Sequence, residues 1–424
     1  MARPQADHII IVGAGAAGLM AARELARAGR KVTVLEARER CGGRILTLPE
    51  AQFGYPAEGG PEFVHGEAPV TLRLLREAKL SLLPSRGTRW RAEHGKLSRR
   101  DVLNPHEAEL QKALRELQDD LSIAEFLRRH FAGRQYDQLR YSITRMVEGY
   151  DAADPERAST LALRDEWMSG GAGGQGRISG GHGALIRFLA AECRAHGATI
   201  HLGATVSAIE SRDEGVVVRC SNGLTPSGDA VILAVPLPLL DEIALPAADR
   251  QKAAATAHIG FGNVIKILLR FKTRWWAEKN NLADLTFLQS DTRIPVWWTQ
   301  HPVEHPVLTG WFGGPKTEAL AHLNEDGLVE AGLASLAEML ALAPGRLQQD
   351  VVAARAINWA HDPLARGAYS YATPETRRAQ STLTRFDSAI LFSGEAIYAG
   401  PDMGTVEAAL SSGLDTARTI LARD

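Results

Sequence analysis

Near the start of this 424-residue chain, Ile9-Ile10-Ile11-Val12 runs into Gly13-Ala14-Gly15-Ala16-Ala17-Gly18, and a second apolar run, Lys31-Val32-Thr33-Val34-Leu35, ends on Glu36. The spacing is that of a strand, a glycine turn, a helix and a second strand closed by an acid. Gly13 lets the chain turn sharply, Gly15 lets a pyrophosphate approach the backbone, and Gly18 lets the helix lie close on the sheet. The N–H groups at the helix start, at the positive end of its dipole, hold phosphates. Glu36 is placed to accept hydrogen bonds from a ribose. The predicted chemistry is dinucleotide binding, with an ordinary glycine-rich turn as the plainer alternative. The chain continues Ala37-Arg38-Glu39-Arg40-Cys41-Gly42-Gly43-Arg44. Gly42 and Gly43 offer a second backbone approach to the same diphosphate, and Arg44 offers it a cation. A second candidate is Lys266, inside the apolar run Val264-Ile265-Lys266-Ile267-Leu268. A charge there points into a site or, by strand alternation, faces solvent.

The Gly13/Gly15/Gly18 turn, Leu35-Glu36-Ala37-Arg38 and Gly42-Gly43-Arg44 together resemble the flavin-containing amine oxidase family of monoamine, polyamine and L-amino-acid oxidases. The resemblance recurs along the whole chain in family order. Glu58-Gly59-Gly60-Pro61-Glu62-Phe63-Val64-His65-Gly66 is similar to the segment beneath the flavin in polyamine oxidases. Gly203-Ala204-Thr205-Val206 is similar to the strand whose valine backbone meets the adenine, and Lys266 falls where the family has its flavin-proximal lysine. Trp359, Asp362-Pro363, Gly367-Ala368-Tyr369-Ser370, Ser393-Gly394-Glu395 and Gly404-Thr405-Val406-Glu407-Ala408-Ala409 follow. The last of these matches a helix whose N-terminus points at the flavin pyrimidine.

The resemblance implies FAD, held by Gly13, Gly15, Ala17, Gly18, Glu36, Ala37, Arg38, Gly42, Gly43, Arg44, Gly60, Pro61, Glu62, Phe63, Val206, Trp359, Gly394, Glu395, Gly404, Thr405 and Val406. It implies oxidation of a C–N bond: hydride leaves the carbon next to a neutral amine nitrogen for flavin N5, the imine hydrolyses, and oxygen returns the flavin with release of hydrogen peroxide. It assigns Lys266 to a water at N5 and to oxygen reactivity. Tyr369 becomes one ring of an aromatic cage around the substrate nitrogen, against a core tyrosine as the plainer reading. His65 becomes a substrate-channel histidine, or a loop histidine capping backbone groups. The second cage ring is expected near Pro401, which is not aromatic, so Tyr398 folds in or the site is open there. Ala368 stands where membrane monoamine oxidases carry a flavin-linked cysteine, so the FAD is expected to be non-covalent. Glu62 stands where L-amino-acid oxidases commonly have an arginine, which favours amines over amino acids. Glu62, Glu67 or Asp402 could pair with a cationic substrate tail or be solvated acids. Trp298 and Trp311 are pocket candidates, since strand neighbours face opposite sides.

The elements that must position these residues form an α/β fold with an α+β substrate part. A discontinuous, Rossmann-like FAD-binding domain is expected over 1–85, 177–245 and 385–424. A monoamine-oxidase-like substrate domain of mixed sheet and helices is expected over 86–176 and 246–384, with a helical part at 105–168. Leu110, Leu114, Leu117 and Leu121 recur at helical spacing, which predicts an amphipathic helix between Pro105 and Phe131. Helices are also predicted over 70–79, 184–196 and 327–342, and strands over 199–201, 216–220, 230–235, 264–271, 285–289, 307–310 and 390–392. Gly170 to Gly176 reads as an interdomain crossing or a lid.

Hydrophobic content of 45% and a formal net charge of −2 are those of an ordinary globular chain, with no basic patch for nucleic acid. Three scattered cysteines suit a reducing cytoplasm, and no stretch is long and apolar enough for a membrane anchor. The thirteen histidines show no metal spacing and there is no GxSxG elbow. The expected partners are a small-molecule amine and O2. A homodimer stays open. The rival readings are an L-amino-acid oxidase using Arg86, Arg89 or Arg293, a flavin desaturase or dehydrogenase with another acceptor, and a flavin-binding scaffold without turnover.

Overall fold

The computed structural model describes residues 7–99, 106–168, 175–213, 215–278 and 282–422. Strand His8–Val12, helix Ala16–Arg27 and strand Lys31–Leu35 form one strand–helix–strand unit of a five-stranded parallel sheet. Its strand order is Ile390–Phe392, Ala230–Leu233, His8–Val12, Lys31–Leu35, Thr199–His201. These strands are short continuous apolar runs because both faces are covered, as parallel sheets require. Gly13, Glu36, Gly203 and Gly394 all follow the C-terminal ends of these strands, the edge at which such sheets bind ligands.

The last helix, Val406–Leu421, lies against helix Ala16–Arg27. Gly413 makes this possible, since a Cβ there would overlap the Ala17 carbonyl oxygen. Glu407 in its first turn accepts from the backbone N–H groups of Val70 and Thr71 at 2.9 and 2.8 Å, capping helix Pro69–Glu77 from outside.

The second sheet has seven strands in the order Val351–Asn358, Val264–Phe271, Val307–Gly313, Val296–Trp298, Leu285–Gln289, Thr88–Glu93, Lys96–Arg99. Alternation divides strand Val264–Phe271 cleanly. Ile265, Ile267 and Leu269 face helix Glu325–Met339 and share a core with Trp297, Leu333 and Leu336. Lys266 therefore points to the other face, beside its cross-strand partner Trp311. The same rule sends Trp297 into the core and Trp298 to the face of Lys266.

The region between 107 and 168 is mostly helical as expected, but the stretch to 130 is not the expected single amphipathic helix. Helix Glu107–Glu116 ends before Leu117, and a new helix, Ile123–His130, starts at the N-cap Ser122, whose hydroxyl accepts from the Glu125 N–H at 3.2 Å. The Gln118-Asp119-Asp120 stretch breaks the helical period, and Asp120 instead accepts from Ser159 Oγ at 2.6 Å. Of the glycine-rich crossing, 170–174 lies outside the described residues, and Gly176 opens a strand, Gly176–Ile178, paired with Leu82–Pro84. The hairpin Thr88–Glu93 and Lys96–Arg99 escaped the sequence reading because its polar residues show no apolar alternation.

Among the described residues no helix is long and apolar enough to cross a membrane. A Gly413→Ala substitution is expected to cost about 2 kcal/mol in urea unfolding, because the methyl forces two backbones apart. Parent-like stability would show that the two helices do not need this approach.

Candidate active site

At the parallel-sheet edge the glycine turn is ready for an anion. Gly13 has φ +103°, and a Cβ there would lie 2.6 Å from the Ala234 carbonyl oxygen. A Cβ on Gly18 would overlap the Gly13 carbonyl. Gly15 and Gly394, by contrast, face open space, and Gly43 (φ +57°) brings its backbone over Gly15. Helix Ala16–Arg27 has Gly15 as its N-cap and no side-chain cap, so its first N–H groups are left for a ligand. The buried Glu36 carboxylate accepts from the N–H groups of Ala14 (2.7 Å) and Arg38 (2.9 Å). Ala204 N–H bonds the Glu36 carbonyl at 2.8 Å, which brings the segment before Val206 to this corner. Arg38 pairs with Asp362 at 2.7 Å, with Ala37 beside it, and Arg44 bridges Glu395 (2.8 Å) and the Ala368 carbonyl (2.7 Å). Glu395 also accepts from Ser370 Oγ. Gly404 (φ +82°) and the N-cap Thr405 start helix Val406–Leu421 beside Tyr369 and Ser370. Open backbone at Gly15 and Gly394, an uncapped helix start and a ribose-type acid fit a dinucleotide.

The face of the seven-stranded sheet that carries Lys266 holds the most concentrated chemistry. Lys266 is 1% exposed, and its Nζ donates to the Gly60 carbonyl and to Glu62 Oε2, both at 3.0 Å. Glu62 Oε1 accepts from Arg177 Nε (2.8 Å), Gln300 Nε2 (2.9 Å) and Trp298 Nε1 (3.0 Å). Burial alone would push the Glu62 carboxyl up, but the Lys266 and Arg177 cations outweigh it and bring it down to about 2. Glu62 is thus neither a solvated acid nor free for a substrate tail, because the protein's own cations occupy it. Arg177 also stacks over Phe63, 4.4 Å from the ring centre, and donates to the Thr299 carbonyl at 2.8 Å. Pro61 is partly buried between Gly60 and Glu62.

From Lys266 an aromatic wall runs outward. The Trp298 ring lies 5.4 Å from Lys266 Nζ and 5.8 Å from Trp311. Trp311 lies 6.5 Å from Tyr369 at 24° between planes. Trp311 Nε1 donates to the Gly149 carbonyl (2.6 Å) and Tyr369 Oη to the Tyr150 carbonyl (2.5 Å), so the end of helix Asp137–Gly149 holds both. The ring neighbouring Tyr369 is therefore Trp311. Pro401 is exposed, and Tyr398 packs against its own Gly400. Trp359 is buried and donates to the Gly59 carbonyl at 3.2 Å. His65 meets Tyr150 Oη and Gln175 Nε2 at 3.2 Å each, and burial lowers it to about 4, so it is neutral at physiological pH.

Tyr369, Tyr398 and Met403 line a cavity of about 810 Å³ that also carries Asp151 and Glu166. Burial, reinforced by Glu166, pushes Asp151 well above the carboxylate range. Burial, reinforced by Asp402, pushes Glu166 up to about 7. The arginines singled out from sequence, Arg86, Arg89 and Arg293, are exposed. The arginine on Glu62 is Arg177, and Arg115, Arg164 and Arg377 line the cavity; these, like Gln300, Asp151 and Glu166, sequence reasoning missed. Arg177 is the middle residue of the short strand Gly176–Ile178 after a glycine-rich run, which carries no periodic signal.

These features define a dinucleotide-binding oxidoreductase with a buried lysine opposite an aromatic wall. The chain belongs to the flavin-containing amine oxidoreductases, whose family model matches residues 16–421. It is therefore a flavin enzyme acting on CH–NH or CH–NH2 groups. Polyamine oxidase 4 of Oryza sativa subsp. japonica is 27% identical over 96% of this chain and 87% of its own length. Probable polyamine oxidase 4 of Arabidopsis thaliana is 28% identical over 86% and 76%. Lysine-specific histone demethylase 1 homolog 3 of Arabidopsis thaliana is 26% identical over 97% of this chain, which spans only 30% of that protein. In fold the chain matches wild-type putrescine oxidase bound to putrescine (TM-score 0.80, 23% identity, 99% of each chain). It also matches cyclohexylamine oxidase from Brevibacterium oxydans IH-35A (TM-score 0.79, 21% identity, 99% of each chain).

Glu58, 4% exposed, accepts from His182 N–H (2.6 Å) and Thr47 Oγ1 (2.9 Å) through Oε1. Burial pushes it from 4.5 up to about 7. A carboxyl raised on folding contributes stability below its unfolded value and loses that contribution as pH rises through the folded value. The loss amounts to at most about 3 kcal/mol. Between about pH 5 and pH 8 the parent should therefore lose about 2 kcal/mol more stability than Glu58→Gln in urea melts. Parallel losses would show that Glu58 does not titrate in this window.

Proposed function

We propose that this protein is an FAD-dependent amine oxidase whose preferred substrates carry a second positive charge, as diamines and polyamines do. The observation that carries this reading is the charge layout of the site. Arg177, with its side chain 12% exposed, is already engaged by Glu62, while the cavity beyond Tyr369 presents Asp151 and Glu166. The cavity's own arginines Arg164 and Arg377 are paired with Asp165, so a substrate carboxylate beside Tyr369 would meet Asp151 and Glu166, which disfavours amino acids. A remote ammonium would meet acid groups whose ionisation its own charge favours. The names of the polyamine oxidase relatives and the putrescine held by the structural neighbour agree with this preference.

FAD would lie along the open edge of the parallel sheet. Gly13, Gly15, Ala17, Gly18 and the Gly42-Gly43-Arg44 turn would hold its diphosphate, Glu36 its ribose and Val206 its adenine side. Gly60 to Phe63, Trp359, Gly394, Glu395 and the 404–406 helix start would surround its reactive end. The FAD-binding domain is then 1–85, 177–245 and 385–424, Rossmann-like, with 86–176 and 246–384 as the substrate domain. When bound, FAD supplies the two-electron chemistry, accepting hydride from the carbon beside nitrogen and passing the electrons to O2. For a primary amine the balance is RCH2NH2 + O2 + H2O → RCHO + NH3 + H2O2.

The chain's own residues do the rest. Trp311 and Tyr369 flank the reacting nitrogen and exclude water, which favours the neutral amine whose lone pair the reaction needs. His65, held neutral, offers a hydrogen bond without adding charge. Lys266 supplies a fixed positive charge at the buried end, where negative charge develops in the oxygen step. Ala368 has no nucleophile, so the FAD is non-covalent.

The test is anaerobic flavin bleaching with monoamines, diamines, polyamines and L-amino acids, followed by admission of air and peroxide assay. Diamines or polyamines should bleach at the lowest concentrations, with prompt peroxide on aeration. Asp151→Asn should raise the KM for a diamine about tenfold and that for a monoamine much less. Bleaching by amino acids alone would overturn the reading. Bleaching without peroxide would move it to a dehydrogenase using another acceptor. Acid precipitation should leave the yellow colour in the supernatant, and colour in the pellet would refute non-covalent binding.

A further inference from the structure

A lysine that only had to be neutralised would need one nearby carboxylate. Glu62 is held much more tightly than that. It is 7% exposed, and three donors from two separate segments converge on Oε1: Arg177 Nε, Trp298 Nε1 and Gln300 Nε2. With Oε1 held this way the carboxylate cannot rotate, so Oε2 meets Lys266 Nζ from one direction only. The second acceptor for Nζ, the Gly60 carbonyl, comes from the same loop. The two contacts together set where the ammonium sits and which N–H remains to point elsewhere. Two cations on one anion also leave the buried trio with a net positive charge.

We propose that Glu62 is a positioning residue that aims the Lys266 ammonium, and that Arg177, Glu62 and Lys266 act as one unit in the oxygen step. This rests on the role given to Lys266 above. With FAD bound, reduced flavin would supply two electrons and one proton to O2 and solvent the second proton of H2O2, while the trio would stabilise the negative charge in passing. Removing the carboxylate leaves two facing cations, one of which can lose its proton.

The experiment measures the amine and oxygen half-reactions separately in Glu62→Gln, Glu62→Asp, Lys266→Met and the Glu62→Gln/Lys266→Met double variant. Thermal unfolding of the same proteins freed of flavin accompanies it. In Glu62→Gln the oxygen step should fall about tenfold or more, and the amine step much less. The oxygen step should fall further than the parent's as pH rises from about 6 to about 9, because a buried ammonium without its counter-charge deprotonates; Glu58 and His182, the other titratable groups that act on Lys266, are common to both proteins. Glu62→Asp restores the charge but not the reach. It should remove that pH dependence while leaving the rate below the parent, and it carries the test if Glu62→Gln does not fold. The double variant should be no slower with oxygen than Lys266→Met alone. Without flavin it should melt above Glu62→Gln, having one fewer uncompensated cation.

A Glu62→Gln oxygen step with the parent's pH profile would overturn the proposal. So would independent, multiplicative effects of the two substitutions. A parent-like oxygen step in Lys266→Met would remove the lysine's role and this proposal together. The flavin-free melting order needs no lysine chemistry, so it separates that result from a failure of the pairing itself.

Discussion

A charged lysine in the middle of a sheet persists only where something buried with it carries the opposite charge. In this protein that constraint organises the site. Lys266 cannot turn away, because strand alternation commits Ile265 and Ile267 to the helix-covered core and leaves Lys266 on the other face. Glu62 must therefore come to it, and Glu62 sits on the loop that leaves the parallel-sheet side of the molecule. The ion pair, with Arg177, Trp298 and Gln300 closing on the same carboxylate, ties that loop to the seven-stranded sheet. Breaking one member would strand the others, which is why such clusters tolerate little substitution.

The site is polarised along its length. At one end lies the cationic trio, at the other the acids Asp151, Glu166 and Asp402, and between them Trp298, Trp311 and Tyr369. Such a layout would orient an elongated cation. Its far ammonium would draw the acids into their charged form, while its reacting nitrogen would lie among rings, where desolvation and the cationic end both favour the neutral form. The same rings are held by carbonyls at the end of helix Asp137–Gly149, and Val147 of that helix lines the cavity beyond them.

The dinucleotide edge was legible in the sequence because its requirements are local. Gly13, Gly15, Gly18 and Glu36 lie within one strand–helix–strand unit; Gly13 answers a positive φ, Gly18 a close approach to the Gly13 carbonyl, and Gly15 leaves the backbone open. Lys266 was legible because a charge breaks an apolar run, and the Trp297-Trp298 pair because period two sends neighbours to opposite faces. The 107–130 region misled because leucines at helical spacing continue past Leu114, while Asp119 and Asp120, which stop the helix, carry no such periodic mark.

What the sequence determined by itself was the family, the fold class and the residue types at the flavin edge, since these depend on short-range geometry and on motifs kept in order along the chain. Only the tertiary structure decided the partners. Glu62 is adjacent to nothing that explains it in sequence; Lys266 lies 204 positions away, Trp298 236 and Gln300 238. Whether a carboxylate is a surface acid, a substrate anchor or the counter-ion of a buried lysine depends on which distant donors the packing delivers to it. Coulomb attraction in a dry interior acts through space and leaves no periodic trace in the chain.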